Sequence, residues 1–234
     1  MSDLVRLVLW RHGQTVWNAE RRFQGQSDIP LDETGQAQAE RAARLLAGLR
    51  PDLIVSSDLI RAASTAAALA RLTGLEVTLD KDLRERHGGC WEGLTDTEIR
   101  ARYPAEHATW TPPDGEPSPV VAERVAGALQ RIATVLAEGP ALAEEPALAG
   151  GPALAGGPAL AEPGPPTGLA VVVSHGAALR LGMSRLLGMP EELSGVLGPL
   201  SNCSWSVLGR RHGRWRLLEH NAGTLPEPIL SDDR

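Results

Sequence analysis

The chain has 234 residues, 42% of them hydrophobic, and a formal net charge of −6 at neutral pH. That length allows one large domain or two small ones, and the acidic balance argues against a broad nucleic-acid-binding surface. Any anionic ligand must therefore be held by a local cluster of positive side chains. No long apolar stretch or leader-like start is visible, and Cys90 and Cys203 are the only cysteines. We therefore expect a soluble cytoplasmic protein with two free thiols.

The first predicted element is a buried strand over residues 5–10, which is rich in β-branched and large apolar side chains. Arg11, His12 and Gly13 follow this strand directly. In open α/β sheets, ligands bind where such strands end. An arginine suits phosphate oxygens, and a neighbouring histidine can act as a nucleophile or as an acid–base group. Taken alone, the segment predicts either a ligand site or a plain polar loop.

A long polar loop over residues 16–32 and then a helix are predicted next. Asp32 and Thr34 are both candidates for the N-cap of this helix. Its apolar stripe is predicted to continue through Leu45, Leu46 and Leu49.

A second buried strand is predicted over residues 53–56, followed by an alanine-rich helix over residues 59–72 with Asp58 as its N-cap. Arg61 then falls in the first turn of this helix. The N-terminal end of a helix is already positive and disfavours an arginine unless an anion lies opposite. Arg61 is therefore a second candidate for anion binding.

The middle of the chain is predicted to hold a third strand over residues 75–79 and then a charged loop over residues 83–89, which contains Glu85. A short helix is predicted over residues 95–103, and an exposed, acidic cap or lid over residues 104–119. A long helix follows over residues 120–138, with an apolar pattern at Val121, Val125, Leu129, Ile132, Val135 and Leu136.

Residues 139–167 repeat Pro-Ala-Leu-Ala every six residues. Recurrent proline and glycine interrupt helices and sheets, so this segment is predicted to be a low-complexity surface linker with its ends close together. The motifs of interest lie on both sides of it. We therefore predict an insertion within a single domain over residues 1–224, with a flexible tail over residues 225–234.

A fourth strand, strongly apolar, is predicted over residues 169–174. It ends in His175 and Gly176, and a helix is predicted from there to residue 187. This arrangement repeats the opening one, in which an apolar strand leads into a histidine and a glycine. Residues 203–208 and 215–220 alternate like paired strands around a turn at His212 and Gly213.

Alternating strands and helices predict an α/β fold with a mostly parallel central sheet. Such a sheet would bring Arg11, His12, Arg61, Glu85 and His175 to one edge. Arginines can hold phosphate oxygens, a histidine can attack phosphorus, and a carboxylic acid can protonate the leaving oxygen. This set of side chains therefore predicts phosphate-ester chemistry.

The order of these motifs resembles that of the histidine phosphatase superfamily, the phosphoglycerate-mutase-like proteins. The matching motifs are Arg11-His12-Gly13, Ser57-Asp58-Leu59 with Arg61-Ala62 and Thr65-Ala66, Leu83-Arg84-Glu85, and Ser174-His175-Gly176. The resemblance covers the chain apart from the insertion. It implies the three-layer α/β/α sandwich of that family.

The resemblance also implies a catalytic role for five residues. His12 attacks phosphorus and becomes phosphohistidine. Glu85 protonates the departing alcohol and then helps to activate water. The phosphoryl oxygens are held by Arg11, Arg61 and His175.

Four further residues match positions where the family contacts phosphate or substrate, namely Asn18, Gln24, Gly25 and Gly176. The family mechanism needs no metal and no cofactor. The implied partner is a small phosphorylated metabolite, not a nucleic acid or a membrane.

Three functions compete at this point: a phosphomonoesterase, a 2,3-bisphosphoglycerate-dependent phosphoglycerate mutase, and a non-catalytic phosphate-binding module. A mutase must hold a bisphosphorylated intermediate and would need basic residues on its lid, whereas residues 104–119 contain neither lysine nor arginine. The complete set of catalytic residue types argues against a non-catalytic module. We therefore favour the phosphatase.

The closing segment resembles one subfamily more closely. Residues 201–205, 215–217 and 221–222 are similar to the glucosyl-3-phosphoglycerate phosphatases of actinobacterial type. This resemblance implies a glucosylated glycerate phosphate, or a related sugar or glycerate phosphate, as substrate. It also suggests a homodimer.

Overall fold

The computed structural model describes residues 4–138 and 167–223, whose strands form one six-stranded sheet. The strands are β1 (Leu4–Arg11), β2 (Leu53–Ser56), β3 (Val77–Leu79), β4 (Thr167–Ser174), β5 (Trp205–Arg211) and β6 (Arg214–Ala222). The helices are α1 (Val16–Ala19), α2 (Glu33–Ala47), α3 (Ile60–Thr73), α4 (Asp96–Arg102), α5 (Pro104–Ala108), α6 (Ser118–Glu138) and α7 (Gly176–Leu186). Short 3₁₀ turns occur at Lys81–Leu83, Gly89–Trp91 and Glu191–Val196.

The strands follow the order β3-β2-β4-β1-β5-β6. The first four are mutually parallel, whereas β5 and β6 pair antiparallel to their neighbours. The hairpin turn between β5 and β6 holds His212 at φ +52° and Gly213 at φ +72°. Left-handed conformations at both central residues are what a tight hairpin turn requires. The predictions of a mostly parallel sheet and of a C-terminal hairpin are therefore confirmed.

Helices cover both faces of the sheet because β1 is apolar on both sides. Successive side chains of a strand point to opposite faces. Leu7 and Leu9 pack in the cluster that includes α6 and α7, whereas Val8 and Trp10 pack in the cluster that includes α2 and α3. The three-layer α/β/α prediction is confirmed.

The register of the parallel strands brings the predicted motifs to one edge. Arg11 is aligned with Ser174 across the β1–β4 pair, and Ser56 with Val173 across the β2–β4 pair. The backbone continues this pairing beyond the strands, since the His12 N–H donates to the Ser174 carbonyl at 3.0 Å. The carboxyl ends of β1, β2 and β4 therefore meet where the candidate residues lie.

The predicted apolar stripe of α2 is wrong at two positions. Leu46 is buried, but Leu45 and Leu49 are 54% and 49% exposed. Four of the six buried residues of this helix are glycine or alanine. The six are Gly35, Gln38, Ala39, Ala42, Ala43 and Leu46. Alanines on this face allow α2 to lie close to the alanine-rich α3, which a count of large apolar residues does not detect. Val135 of α6 is likewise exposed, although the other predicted apolar positions of that helix are buried.

The predicted N-cap of α3 is also wrong. The helix begins at Ile60, and Leu59 occupies the cap position without a side-chain hydrogen bond. Asp58 instead accepts two hydrogen bonds from Arg84, each at 2.6 Å. The backbone N–H of Ile60, at the start of the helix, donates to the Asp28 side chain at 2.7 Å. A carboxylate from the loop before α2 therefore caps α3.

Other boundaries differ by small amounts. The predicted polar loop contains the short helix α1, which Thr15 and Asn18 cap reciprocally. Asp32, one of the two proposed caps, accepts from the Gly35 N–H and caps α2. The segment over residues 104–119, which we call the cap segment, includes α5.

The Pro-Ala-Leu-Ala repeat lies outside the described residues apart from Thr167, and so does the tail. Both predictions, and that of a single domain over residues 1–224, stay predictions. Strands from both sides of the repeat nevertheless pair in one sheet, since β4 lies between β1 and β2. Among the described helices, none has the length and apolar character needed to cross a membrane.

Candidate active site

A cavity opens where β1 ends, and the structure brings most of the predicted residues to it. The lining residues are Arg11, His12, Phe23, Gln24, Gly25, Arg61, Glu85, Arg86 and Ala177. His175 lies against this set, because its ring centroid is 5.2 Å from that of His12. Asn18 and Gly176, which the family resemblance also implied as contacts, are not among the lining residues.

His12 is presented as a neutral imidazole with one free lone pair. Its ring is 2% exposed, and Nδ1 lies 2.7 Å from the Gly13 carbonyl oxygen. A carbonyl only accepts, so Nδ1 carries the proton and Nε2 keeps its lone pair. Burial, followed by the charges of Arg61 and Arg11, holds the pKa of His12 well below its usual value. The ring is therefore uncharged at neutral pH, which is the state a nucleophile requires.

Arg61 is a fully buried cation in the first turn of α3. Its Nη1 donates to the Ser27 carbonyl at 2.8 Å and its Nη2 to the Gly25 carbonyl at 2.7 Å. Burial lowers the pKa of Arg61 to about 10, although the charges of Glu85 and Asp28 oppose that change. The side chain is therefore still charged at neutral pH, and no described residue accepts a hydrogen bond from its Nε.

Gly25 supplies one of these carbonyls in a conformation that favours glycine. Its φ is +53°, and a Cβ at this position would lie 2.1 Å from Oε1 of Glu92. The same Glu92 oxygen accepts a hydrogen bond from the Gln26 N–H at 2.9 Å. Glycine at this position thus allows the loop to approach Glu92 closely while its carbonyl faces Arg61.

Arg11 is the second buried cation. It is the last residue of β1 and 3% exposed, and its Nη1 donates to the Leu200 carbonyl. Its Nε, like that of Arg61, has no acceptor among the described residues. No ion pair joins Arg11 or Arg61 to a carboxylate in the described part of the chain. Two buried cations that are held only by carbonyls carry a desolvation cost that a bound anion would offset.

His175 occupies the N-cap position of α7 and is fully buried. Its Nε2 lies 2.8 Å from the Ser57 hydroxyl, whereas its Nδ1 has no partner among the described residues. Burial and then the charge of Arg61 hold the pKa of His175 well below the ordinary value, with smaller contributions from His12 and Arg11. A second neutral imidazole, with one nitrogen still unpaired, therefore lies beside His12.

Glu85 is fixed by the start of α7. Its Oε1 accepts from the Ala178 N–H at 2.9 Å and from the Arg86 N–H at 2.8 Å, and its Oε2 accepts from the Ala177 N–H at 3.2 Å. The positive end of a helix is a favourable place for a carboxylate. Glu85 and His175 are thus positioned by the same β4–α7 junction.

Arg124 of α6 holds the Glu85 loop, and sequence reasoning missed it. Its guanidinium donates to the carbonyls of Asp82, Arg84 and Glu85 at 2.7–3.0 Å. It also pairs with both oxygens of Glu116 in the cap segment, each at 2.7 Å. The one available signal was an arginine three residues after Val121, next to the apolar stripe of α6.

Asn18 and Gln24 organise the loop after β1. The Asn18 side-chain oxygen accepts from the Thr15 N–H at 3.1 Å and from the Asn202 amide at 3.2 Å. The Gln24 side-chain oxygen accepts from the Thr15 hydroxyl at 2.9 Å, and Gln24 lines the cavity. Gly176 is the first residue of α7. In residues 4–138 and 167–223, no three His, Cys, Asp or Glu side chains are grouped so as to hold a metal ion.

Buried cations beside a neutral imidazole, at the carboxyl edge of a parallel sheet, are suited to binding and transferring a phosphoryl group. The family model of the histidine phosphatase superfamily (branch 1) matches residues 7–147 and 159–223. This chain belongs to that family, and the resemblance seen in the sequence motifs is confirmed.

Similar proteins narrow the comparison. A glucosyl-3-phosphoglycerate phosphatase from Mycolicibacterium vanbaalenii is 37% identical over 93% of this chain and 94% of its own length. A solved mycobacterial glucosyl-3-phosphoglycerate phosphatase in complex with VO3 is 36% identical, with a TM-score of 0.75, over 93% of this chain and 99% of that one. A probable phosphoglycerate mutase from Cronobacter sakazakii is 33% identical over 91% of this chain and 88% of its own length.

Proposed function

We propose that this chain is a phosphomonoesterase that works through a phosphohistidine formed on His12. The observation that carries the proposal is the pair of buried cations, Arg11 and Arg61, which lack a carboxylate partner and lie beside a neutral imidazole. A phosphoryl group would neutralise the two charges and give the imidazole an electrophile.

The reaction proceeds in two steps. Nε2 of His12 bonds to phosphorus, the ester P–O bond breaks, and the departing oxygen takes a proton from the carboxylic acid form of Glu85, which becomes a carboxylate. Water then bonds to phosphorus, the N–P bond breaks, and Glu85 recovers a proton from that water. The Gly13 carbonyl, which already accepts from Nδ1, stabilises the ring while it carries the phosphoryl group.

The remaining predicted residues bind the phosphoryl oxygens in this scheme. Arg11 and Arg61 offer their unpaired Nε–H groups, and His175 its Nδ1. Four residues organise or contact the substrate side, namely Asn18, Gln24, Gly25 and Gly176. None of these steps calls for a metal ion or a cofactor.

The proposed substrate is a small phosphorylated metabolite, with glucosyl-3-phosphoglycerate as the first candidate. Two similar proteins carry that substrate in their names, and both match nearly the whole chain. Two further proposals concern the cellular location and the oligomeric state. Cys90 and Cys203 do not form a disulfide with each other, which supports a cytoplasmic location. The subfamily resemblance supports a homodimer.

A phosphoglycerate mutase is the second candidate. A similar protein is named as a probable mutase, and Arg86 and Arg180 line a cavity beside the site although the cap segment itself has no lysine or arginine. Transfer to a second hydroxyl would require that water be kept from the phosphohistidine. The more similar relatives are phosphatases, which favours hydrolysis.

Phosphate trapping tests the proposal directly. Acid-labile, base-stable label from a ³²P-labelled phosphomonoester should appear on the wild-type chain and be absent from His12→Ala, which should also lose turnover of an aryl phosphate. His212→Ala, in the exposed β5–β6 turn, is the matched control and should retain both. Turnover by a folded His12→Ala variant would contradict the nucleophile assignment.

The mutase candidate has its own readout. Interconversion of 3-phosphoglycerate and 2-phosphoglycerate, with and without 2,3-bisphosphoglycerate, is compared with release of inorganic phosphate. Hydrolysis should be faster in both conditions. Interconversion faster than phosphate release would reverse the ranking of the two functions.

A further inference from the structure

A second cavity, of about 310 Å³, adjoins the site on the side of the cap segment. Phe23, Arg86 and Ala177 line both cavities, so the two spaces meet beside the loop that carries Glu85. Under the proposed function the alcohol half of the ester departs past Glu85. This second cavity is therefore the space that the alcohol half occupies.

The lining of this cavity is cationic. Arg86 and Arg180 both contribute to it, and the described residues that line it include no acidic side chain. The protein as a whole carries a net charge of −6, so this cationic lining contrasts with its overall charge. The cavity is suited to an anionic group on the alcohol half.

The two arginines differ in what holds them. Arg86 is 5% exposed, and it donates from Nε to the Glu116 carbonyl at 2.8 Å and from Nη1 to the Trp110 carbonyl at 3.1 Å. Its guanidinium is thereby attached to the cap segment. Arg180 is half-buried on α7, and its Nε is buried without an acceptor among the described residues. A buried N–H without an acceptor is costly until a ligand supplies one.

We propose that Arg180 is a specificity-determining residue that binds a carboxylate on the alcohol half of the substrate. This inference rests on the proposed function, which assigns the phosphoryl group to Arg11 and Arg61. A guanidinium matches the two oxygens of a carboxylate with two parallel N–H donors. A carboxylate carries a single charge, which the guanidinium of Arg180 can neutralise alone, whereas the guanidinium of Arg86 is already attached to the cap segment.

The rest of the cavity suits the carbon skeleton of such a substrate. Phe23 and Trp110 form an aromatic wall, with ring centroids 6.2 Å apart. Trp110 is held at φ +51°, and its carbonyl accepts from Arg86. Arg86, which is attached to the cap segment, thus fixes the orientation of this wall, while Arg180 selects the anion.

A pair of substrates that differ only in the anionic group tests the inference. 3-Phosphoglycerate has a carboxylate where glycerol 3-phosphate has a hydroxymethyl group. The wild-type chain should prefer 3-phosphoglycerate, and Arg180→Met should reduce that preference by about 10- to 100-fold, mainly through KM, as expected for loss of a charged hydrogen bond. Arg180→Lys should restore part of it. Arg185→Met is the control, because Arg185 lies on the same helix, is exposed and pairs with Glu123 at 2.8 Å.

The outcomes separate this inference from the proposed function. A wild-type chain that releases no phosphate from an aryl phosphate, from 3-phosphoglycerate or from glycerol 3-phosphate would overturn both. Hydrolysis without a preference for 3-phosphoglycerate would overturn only the role of Arg180. Equal losses on both substrates in Arg180→Met would overturn it as well, since they would indicate a structural effect or contact with the phosphoryl group.

Discussion

The two cavities beside Glu85 are built in opposite ways. The cavity proposed for the phosphoryl group, which we call the phosphoryl side, lies at strand ends and helix starts. Its four basic side chains, Arg11, His12, Arg61 and His175, are each at most 3% exposed. Backbone carbonyls hold its arginines. The cavity proposed for the alcohol, which we call the alcohol side, is closed by the cap segment, and its one buried arginine, Arg86, is attached to carbonyls of that segment.

This difference separates what every phosphate ester shares from what distinguishes one ester from another. The phosphoryl group always presents the same oxygens, so a rigid pocket built on the sheet can be preorganised for it. The alcohol varies, and about half of the residues that line its proposed cavity come from the cap segment, which a few side chains hold in place. Changes on the phosphoryl side should therefore reduce all turnover, whereas changes on the alcohol side should alter the choice of substrate.

The largest effect is expected for Arg61→Gln. Loss of one preorganised charge at a developing phosphoryl charge should lower kcat/KM by about 10²- to 10³-fold for every substrate. The stabilisation of the protein by orthovanadate, measured as a rise in Tm, should be lost in parallel. Arg71→Gln is the matched control, because Arg71 lies on the same helix but is exposed and 3.8 Å from Glu40. A loss confined to some substrates would contradict the assignment of one cavity to the phosphoryl group and the other to the alcohol.

A smaller effect is expected for Gly25→Ala, which tests whether the phosphoryl pocket depends on its backbone. The added Cβ would meet Glu92, and the φ of +53° disfavours alanine, so we expect a loss of about 1–3 kcal/mol in stability. Displacement of the Gly25 carbonyl from Arg61 should also reduce kcat by about tenfold. Both are measured by urea unfolding and steady-state kinetics.

Gly74→Ala separates strain from collision. Gly74 has φ +73° at the C-cap of α3, but a Cβ there would meet nothing within 4 Å. This variant should lose about 1 kcal/mol of stability and retain full activity. Equal effects of the two substitutions would show that the contact with Glu92 is unimportant.

The same difference explains what the sequence could predict. Arg11, His12 and His175 lie at the ends of apolar strands, so their meeting at one edge follows from the parallel direction of those strands. Arg124 and Arg180 lie on helices, and their importance depends on which loop packs against them. The replacement of Asp58 by Asp28 as cap of α3 has a similar cause, because Arg84 lies far along the chain and still pairs with Asp58.

A pH effect follows from the two neutral histidines of the phosphoryl pocket. The pKa values of His12 and His175 are lowered in the folded state, so below about pH 6.5 the unfolded chain binds protons that the folded chain does not. Stability should therefore fall as the pH drops below that value, by up to about 1.4 kcal/mol per pH unit for each histidine. Urea unfolding between pH 7.5 and 5.5 measures the slope.

Two comparisons assign this slope to the site. His12→Gln should lower this slope by up to about 1.4 kcal/mol per pH unit, which corresponds to one proton. His212→Asn, in the exposed turn between β5 and β6, is the control and should leave the slope unchanged. Saturating orthovanadate should also reduce it, since an anion beside the imidazoles favours their protonated forms. An unchanged slope in His12→Gln would contradict the burial of a neutral imidazole at this position.

The smallest effect is expected from deleting residues 141–162. A Cβ on Gly168 of β4 would lie 2.9 Å from Cβ of Leu136 in α6, so the described residues on either side of the repeat are already in contact. The residues that remain between α6 and β4 suffice to span this distance, because each extended residue covers about 3.5 Å. Shortening the connection should raise stability by about 1 kcal/mol through loop entropy and change kcat/KM by less than about twofold. A Gly/Ser segment of the original length is the control. If both variants lost activity on every substrate, the repeat would belong to the phosphoryl side of the site, and if they lost only the preference for 3-phosphoglycerate, it would belong to the alcohol side.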